Sequence, residues 1–174
     1  MGGPNKLLLP WHGETVLRAV VDTLLFCELE VVVVTGRDAE DVAEEVPPAR
    51  TVFNPEFAQG LGCSIAVGVE ACRPGIPILI ALGDMPRLDP EVVLSIVARW
   101  QQEPDDAIIA PVYSAEPDRY GHPVLFGPPY RDALLALSGD EGARSIVKAN
   151  RERLVTIDVE GSLTGIEVPA DIAP

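Results

Sequence analysis

The sequence predicts an α/β fold in three layers, with helices on both faces of a mostly parallel sheet. Apolar runs rich in β-branched residues alternate along the chain with stretches whose apolar residues recur at helical spacing. The run of valines within residues 30–36 ends in glycine and is typical of a strand buried on both faces of a parallel sheet. Because strands and helices alternate, we expect right-handed crossovers between parallel strands.

The elements follow from apolar spacing and from turn residues, taken in chain order. Helices are predicted over residues 14–26, 38–46, 63–72, 89–102, 128–137 and 142–150. Strands are predicted over residues 30–36, 50–57, 76–86, 105–113, 122–127 and 153–160. Thr15 or Gly13 marks the start of the first helix, while Asp89 can cap the fourth and Pro90 fits its first turn.

Length and composition limit the classes of function. With 174 residues, of which 47% are apolar, the chain is expected to form one domain over residues 1–174 with a sizeable core. A net charge of −14 argues against nucleic-acid binding through a broad basic surface, although a nucleotide needs only local donors and a metal. The sequence shows no membrane-spanning run and no signal peptide, so we expect a cytoplasmic protein without a membrane partner.

Polar side chains follow several of the predicted strands at the point where each strand ends. Active sites in sheets of this kind lie beyond the carboxyl ends of the strands. The residues at those ends are Thr35–Gly36, Asn54–Pro55, Gly83–Asp84 and Tyr113–Ser114. Asp84 follows a buried strand, where a carboxylate is suited to hold Mg²⁺ beside substrate phosphates. The alternative is that Asp84 only caps a turn or a helix.

Two further segments carry groups suited to binding or catalysis. In "NPEFAQGLGCSI", Gly60 and Gly62 allow close backbone approach to a ligand, and Ser64 starts a helix with free N–H groups. The alternative is a loop adjusted by glycine, with Ser64 as an ordinary N-cap. In "RYGHPVLF", His122 precedes a proline and is held extended, as a general acid or base or as a structural histidine.

Charged residues complete the set of candidates. In "SGDEGARSI", Asp140 precedes a helix and Arg144 lies in its first turn, where a cation opposes the helix dipole. An arginine in that position is either paired with an acid or aimed at an anion. Lys6 follows a glycine-rich segment, which is an arrangement that binds phosphate, although the spacing does not match the P-loop pattern.

Taken in order, these segments resemble the molybdenum cofactor cytidylyltransferase family, whose members are nucleotidyltransferases with a Rossmann-like fold. The resemblance runs along the whole chain. The segments that carry it are "GGPNKLLLPWHGETVL", "VVVVTG", "NPEFAQGLGCSIAVGV", "LGDMPRL", "RYGHPVLF", "LSGDEGARSIV" and "IEVPADI".

The resemblance implies a function and a set of roles. Members of this family transfer CMP from CTP to the phosphate of molybdopterin cofactor and release pyrophosphate, by in-line attack on the α-phosphorus. Lys6 and Asp84 would be catalytic, with Mg²⁺ on Asp84, and His122, Asp140 and Arg144 would bind the acceptor. The nucleotide-binding residues would be Gly2, Gly3, Lys6, Thr35, Gly36, Asn54, Gly60, Gly62 and Ser64. A molybdoenzyme or its chaperone is the macromolecular partner implied.

The sequence departs from the family pattern in two places. The first strand of the family and most of its glycine-rich loop precede the position of Met1, so we expect two neighbouring strands with unpaired edges and exposed apolar faces. The closing Asp-Ile-Asp-Thr-Pro is replaced by Gly165–Pro169, where Glu167 is a metal ligand or an ordinary turn residue. The alternatives are a transferase of the same fold that uses GTP or another acceptor, and a truncated, inactive nucleotide-binding module.

Overall fold

Strands and helices alternate along the chain, and the α/β class predicted from the sequence is confirmed. A computed structural model describes residues 5–162 of the protein. The helices are α1 (Val16–Phe26), α2 (Ala39–Glu45), α3 (Leu61–Ala71), α4 (Pro90–Trp100), α5 (Arg131–Leu135) and α6 (Arg144–Ala149). The strands are β1 (Pro10–Trp11), β2 (Glu14–Thr15), β3 (Val32–Thr35), β4 (Arg50–Phe53), β5 (Ile78–Ile80), β6 (Ile108–Tyr113), β7 (Val124–Phe126) and β8 (Leu154–Val159). Within the described residues, every helix falls short of the length and apolarity needed to cross a bilayer.

The larger sheet has the strand order β5-β7-β6-β8 and is mixed rather than mostly parallel. β6 and β8 pair in parallel from Ile108 opposite Leu154 to Tyr113 opposite Val159. β7 runs antiparallel to both β5 and β6. The connection from β6 to β7 contains no helix. A short connection of this kind joins antiparallel strands, because a parallel pair would need a longer crossover.

A second sheet holds only β3 and β4, which pair in parallel from Val32 opposite Arg50 to Thr35 opposite Phe53. Within residues 5–162, no hydrogen-bonded ladder joins β3 to β5. The valines of β3 are therefore only half-buried, and the prediction of a strand buried on both faces is wrong. In this described part, β3 and β5 each keep one edge unpaired and carry part-exposed apolar residues, as the sequence led us to expect.

Helices α1 and α3 span the two sheets from opposite sides. On α1, Leu17 and Val21 pack in one cluster with Val31, just before β3, and with Val33 of β3. Val20 of α1 belongs to a second cluster, which includes Leu79 of β5. On α3, Gly68 lies against Val34 of β3, and Val69 packs in one cluster with Ile78 of β5. These two helices hold β3 and β5 side by side.

Alternating side chains place apolar layers on both faces of the larger sheet. On β7, Phe126 faces a cluster with residues of α3, α5 and α6, whereas Leu125 faces a cluster built on α4. Phe126 is fully buried and forms an edge-on contact with the ring of Tyr130. The three predicted layers are therefore present, with the sheet between two sets of helices.

The helix starts agree with the predicted caps at two places and differ at a third. The Thr15 hydroxyl accepts a hydrogen bond from the Arg18 N–H at 3.2 Å, and the Asp89 carboxylate accepts one from the Glu91 N–H at 2.8 Å. Helix α3 begins at Leu61 with Gly60 as its N-cap, so the interpretation of Ser64 as the N-cap is wrong.

Gly60 and Gly62 allow a close approach, but the partner is the chain itself. The Gly62 N–H donates to the Gly139 carbonyl at 2.8 Å. A Cβ atom on Gly62 would lie 2.6 Å from the Glu141 carbonyl oxygen, and one on Gly60 would lie 2.3 Å from the Gly139 carbonyl. Gly60 also has a φ of +125°, which a side chain rarely adopts. The space predicted for a ligand is occupied by the loop of residues 138–141.

The variant Gly62→Ala is expected to lower the free energy of unfolding by about 1–3 kcal/mol, because the added methyl group meets backbone atoms that cannot move aside cheaply. Urea unfolding followed by circular dichroism measures this. The matched control is Gly142→Ala in the facing loop, where the new Cβ would lie 3.5 Å from the flexible Leu61 side chain. Equal losses in the two variants would contradict the packing argument.

Candidate active site

Lys6 and Asp84, which are 78 residues apart in sequence, form an ion pair beyond the end of β5. The Lys6 ammonium donates to a carboxylate oxygen of Asp84. Lys6 begins a short 3-10 turn, Lys6–Leu8, that Asn5 caps by accepting from the Leu7 N–H at 3.2 Å. Gly83 lets the turn before Asp84 lie close to the Leu7 side chain. The structure thus brings together the two residues that the sequence predicted as catalytic.

The pair is open to solvent, since the side chains of Lys6 and Asp84 are 48% and 21% exposed. Exposed ion pairs contribute about 0–1 kcal/mol, because water solvates the separated charges well. Either residue can therefore exchange its partner for a ligand group at small cost. Lys6 can accept an anion, and Asp84 can accept a cation or a donor.

Asn54 ties the carboxyl ends of β3 and β4 to helix α3. Its side chain is 1% exposed. The backbone N–H of Asn54 donates to the Thr35 carbonyl at 2.8 Å. The side-chain oxygen of Asn54 accepts from the Glu56 backbone N–H at 2.9 Å, and its side-chain amide nitrogen donates to the Ser64 hydroxyl at 3.0 Å. The structure thus brings Thr35, Asn54 and Ser64 together, with the Asn54 amide engaged inside the chain. Gly36 is needed locally, since a Cβ there would lie 2.5 Å from the Phe57 side chain.

A cavity of about 250 Å³ lies beside the Asp84 turn. Leu82 and Met85, which flank that turn, form part of its wall. Other wall residues are Tyr120 and His122 from the segment before β7, and Arg144 at the start of α6. Two candidate acceptor-binding residues, His122 and Arg144, therefore share one cavity next to the ion pair.

Tyr113 holds the segment that carries His122. The Tyr113 hydroxyl donates to the His122 carbonyl at 2.9 Å, and the Gly121 N–H donates to the Pro111 carbonyl at 2.7 Å. A Cβ on Gly121 would lie 2.7 Å from the Tyr113 ring, so only glycine fits there. Burial raises the pKa of Tyr113 to about 12, which keeps the hydroxyl protonated as a donor.

The His122 imidazole is neutral near pH 7, because burial lowers its pKa below the ordinary value of 6.5. A hydrogen bond to the Ile80 backbone and the charge of Asp84 oppose this lowering of the pKa, while the charge of Arg144 adds to it. Nδ1 of the ring is buried without a hydrogen-bond partner. A neutral imidazole can act as a general base or as a hydrogen-bond partner for a ligand.

The two remaining charged candidates differ in their placement. Within residues 5–162, Arg144 has no acidic partner, and its guanidinium lies 6.0 Å from the centre of the Tyr120 ring. This excludes pairing with an acid in the described chain and favours the second interpretation, an arginine aimed at an anion. Asp140 is exposed in the loop that packs on Gly60 and is not part of the cavity wall. Gly2, Gly3 and Glu167 lie outside the described residues.

Sequence reasoning named Tyr113 only as a residue at the end of a predicted strand, and it overlooked Tyr120. Tyr120 stands inside the segment "RYGHPVLF", two positions before His122, so its place beside a candidate residue was the signal that could have found it. Among residues 5–162, no three His, Cys, Asp or Glu side chains are grouped to hold a metal ion. Asp84 would hold a metal together with substrate oxygens and water, which Mg²⁺ accepts readily beside one or two carboxylates.

The sequence model of the MobA-like NTP transferase domain matches residues 1–154. The chain belongs to the MobA-like NTP transferase domain family. This agrees with the placement of a lysine and an aspartate at the carboxyl edge of the sheet, where a nucleotide with its metal could bind.

Two curated relatives show how members of this family differ in name. A nicotine blue oxidoreductase from Paenarthrobacter nicotinovorans is 31% identical over 174 residues, which cover 97% of this chain and 85% of that protein. A molybdenum cofactor cytidylyltransferase from Escherichia coli K12 is 30% identical over 131 residues, which cover 73% of this chain and 64% of that protein. These identities support the family and leave the substrates to be proposed.

Solved structures confirm the nucleotidyltransferase fold. Rv0371c from Mycobacterium tuberculosis H37Rv, in its complex with manganese, superposes with a TM-score of 0.79 at 23% identity, over 97% of this chain and 89% of that chain. A nucleotidyl transferase from Methanothermobacter, Mth528, superposes with a TM-score of 0.72 at 25% identity, over 88% of this chain and 74% of that chain.

The buried His122 is expected to make stability depend on pH. The unfolded chain takes up a proton on this residue near pH 6.5, whereas the folded protein does so only at lower pH. The stability contributed by neutral His122 is therefore complete above the unfolded pKa and is lost as the pH falls through the folded pKa. In urea unfolding, wild type should lose more stability than His122→Gln between about pH 7.5 and about pH 5.

The control for this prediction is His12→Asn, at an exposed position whose φ of +47° asparagine tolerates. This variant should keep the pH dependence of the wild type. If His122→Gln follows the wild-type curve at every pH, burial of the imidazole does not set the dependence.

Proposed function

We propose that this chain transfers CMP from CTP to the phosphate of molybdopterin cofactor and releases pyrophosphate. The observation that carries the proposal is the Lys6–Asp84 ion pair at the open end of β5. A phosphoryl or nucleotidyl transfer requires little covalent chemistry from the protein, and depends on neutralising the phosphate charge and aligning the two reactants. A cation and a carboxylate that separate at small cost suit that task.

Each member of the pair takes one role in this mechanism. Lys6 exchanges Asp84 for phosphate oxygens of the triphosphate and neutralises part of their charge. Asp84 holds Mg²⁺, whose preference for one or two carboxylates plus phosphates and water fits a single exposed carboxylate. When bound, the metal supplies further positive charge to the transferred group and to the leaving pyrophosphate.

The nucleotide lies along the ends of β3 and β4 and the start of α3 in this proposal. Thr35, Gly36, Asn54 and Ser64 would shape that side. Because the amide of Asn54 is engaged within the chain, its role there is to hold the wall rather than to read the base. Gly2 and Gly3 are proposed as nucleotide contacts, whereas Gly60 and Gly62 pack on the loop of residues 138–141 and support this side from behind.

The acceptor occupies the cavity, where His122 and Arg144 face it and Asp140 lies in the neighbouring loop. Arg144 lacks an acidic partner in the described chain, so it is available for the acceptor's phosphate. The attacking phosphate then lies near the Asp84 turn, since Leu82 and Met85 line the same cavity. The proposal places the reaction in the cytoplasm, in one domain over residues 1–174, with a molybdoenzyme or its chaperone receiving the product.

The activity assay also decides between CTP and GTP as the nucleotide, and between transfer and some other reaction. A probable molybdenum cofactor guanylyltransferase from Rhodopirellula baltica is 28% identical over 123 residues, so GTP is the alternative nucleotide. The relative named as an oxidoreductase shows that membership of the family does not by itself select a reaction. The third reading is a nucleotide-binding module without turnover.

The assay mixes the protein with Mg²⁺, molybdopterin cofactor and either CTP or GTP, and measures pyrophosphate. We expect release with CTP and a loss of about 100-fold in kcat for Asp84→Asn, because the carboxylate that holds the metal is removed. Lys6→Gln should weaken binding of the Mg²⁺–CTP complex in calorimetry. The matched control is Asp106→Asn, which breaks an ion pair with Arg153 near the start of β6, away from the site, and should leave kcat within about twofold.

Release with GTP alone would replace CTP by GTP in the proposal. Binding of CTP without pyrophosphate release would support the inactive module. Full activity of Asp84→Asn would remove the metal role of that carboxylate.

A further inference from the structure

Two side chains in the wall of the cavity have buried polar atoms without a hydrogen-bond partner. They are the Tyr120 hydroxyl and Nδ1 of His122, two positions apart in sequence. Native proteins pair nearly all such atoms, because burying a polar group without a hydrogen bond is unfavourable. The only other such atom among the described residues belongs to Trp100, which is not part of this wall. Both side chains line one small cavity, so a ligand bound there is the candidate partner of these atoms.

Neighbouring buried polar groups show that the fold can satisfy such atoms elsewhere. Tyr113 donates to the His122 carbonyl at 2.9 Å, and Tyr130 donates to the Asp106 carbonyl at 2.8 Å. Tyr120 is the tyrosine left without a partner in the described part of the chain. Tyr113 and Tyr120 both line the cavity, and of these two only Tyr113 has its hydroxyl paired within the chain.

The Tyr120 ring also contacts Arg144, one of the two arginines that line the cavity. The guanidinium of Arg144 lies 6.0 Å from the ring centre, which is a cation–π arrangement. The ring therefore restricts where the guanidinium points, while its planar donors stay available for an anion. One residue thus combines an unpaired hydroxyl with a platform for the arginine.

The shape and polarity of the cavity limit the ligand. Its volume of about 250 Å³ is below the range of about 300–1,000 Å³ usual for drug-sized ligands, so one fused ring system fits better than a larger molecule. Leu82, Met85 and Val124 provide apolar wall that suits ring faces. In a neutral imidazole one ring nitrogen donates and the other accepts, so the unpaired Nδ1 calls for a polar partner on the ligand.

We propose that Tyr120 selects the acceptor of the transfer reaction. Its hydroxyl and Nδ1 of His122 pair the polar edge of a fused heteroaromatic ring that presents an N–H beside an acceptor atom. Its ring positions Arg144 for the anionic group that such an acceptor carries. The inference rests on the proposed function in treating the bound ring as the acceptor of the reaction. The binding itself can be measured without turnover.

The test uses two probes, a pterin that carries a phosphate monoester and the same pterin without phosphate, titrated by calorimetry. Tyr120→Phe removes only the hydroxyl and should weaken both probes by about 5- to 20-fold, as expected for one lost hydrogen bond. Tyr120→Leu also removes the platform and should, in addition, reduce the preference for the phosphorylated probe. In steady-state kinetics, the KM for the acceptor should rise while the KM for CTP stays unchanged.

The matched control is Tyr130→Phe, whose hydroxyl is paired outside the cavity. This variant should lose stability but bind both pterins like the wild type. Circular dichroism of Tyr120→Phe verifies folding, since the ring and its packing are retained.

Wild-type affinities in Tyr120→Phe, equal weakening of CTP and pterin, or failure of the wild type to bind either pterin would each overturn the inference. Failure of the proposed function is distinct. It would appear as absent pyrophosphate release while pterin binding still responds to Tyr120→Phe, and that response would support the inference.

Discussion

Packing of two helices, rather than a continuous ladder of hydrogen bonds, joins the two halves of this fold. Within residues 5–162, β3 and β5 share no ladder, and α1 and α3 contact both strands from opposite sides. The dense contact of Gly60 and Gly62 with the loop of residues 138–141 adds a third connection. Apolar packing has little directionality, so the close glycine contacts are what fix the relative position of the halves.

The candidate site depends on that position because its residues come from both halves. Thr35, Asn54 and Ser64 belong to the β3–β4 side, whereas His122 and Arg144 belong to the larger sheet and α6. Lys6 reaches Asp84 because the turn that carries it packs near α1. A shift of either half would separate the proposed nucleotide side from the proposed acceptor side.

Polar pairing divides the site into a rigid part and an open part. The amide of Asn54 and the hydroxyl of Tyr113 are satisfied within the chain, so they hold backbone segments in place. The hydroxyl of Tyr120 and Nδ1 of His122 are not, and the Lys6–Asp84 pair is exposed and exchangeable. Groups that are costly to leave unpaired therefore lie where a ligand is expected.

The sequence by itself determined the alternation of elements, the cap at Asp89, a start of the first helix at Thr15 or Gly13, and the candidates at the strand ends, because apolar period and turn chemistry are local properties. It could not determine which candidates meet. Pairing of Lys6 with Asp84, the direction of β7, and the use of Gly60 and Gly62 for packing on the chain's own loop were decided by tertiary structure. The physical reason is that these contacts join residues distant in sequence, and their geometry depends on how the helices pack on the sheets.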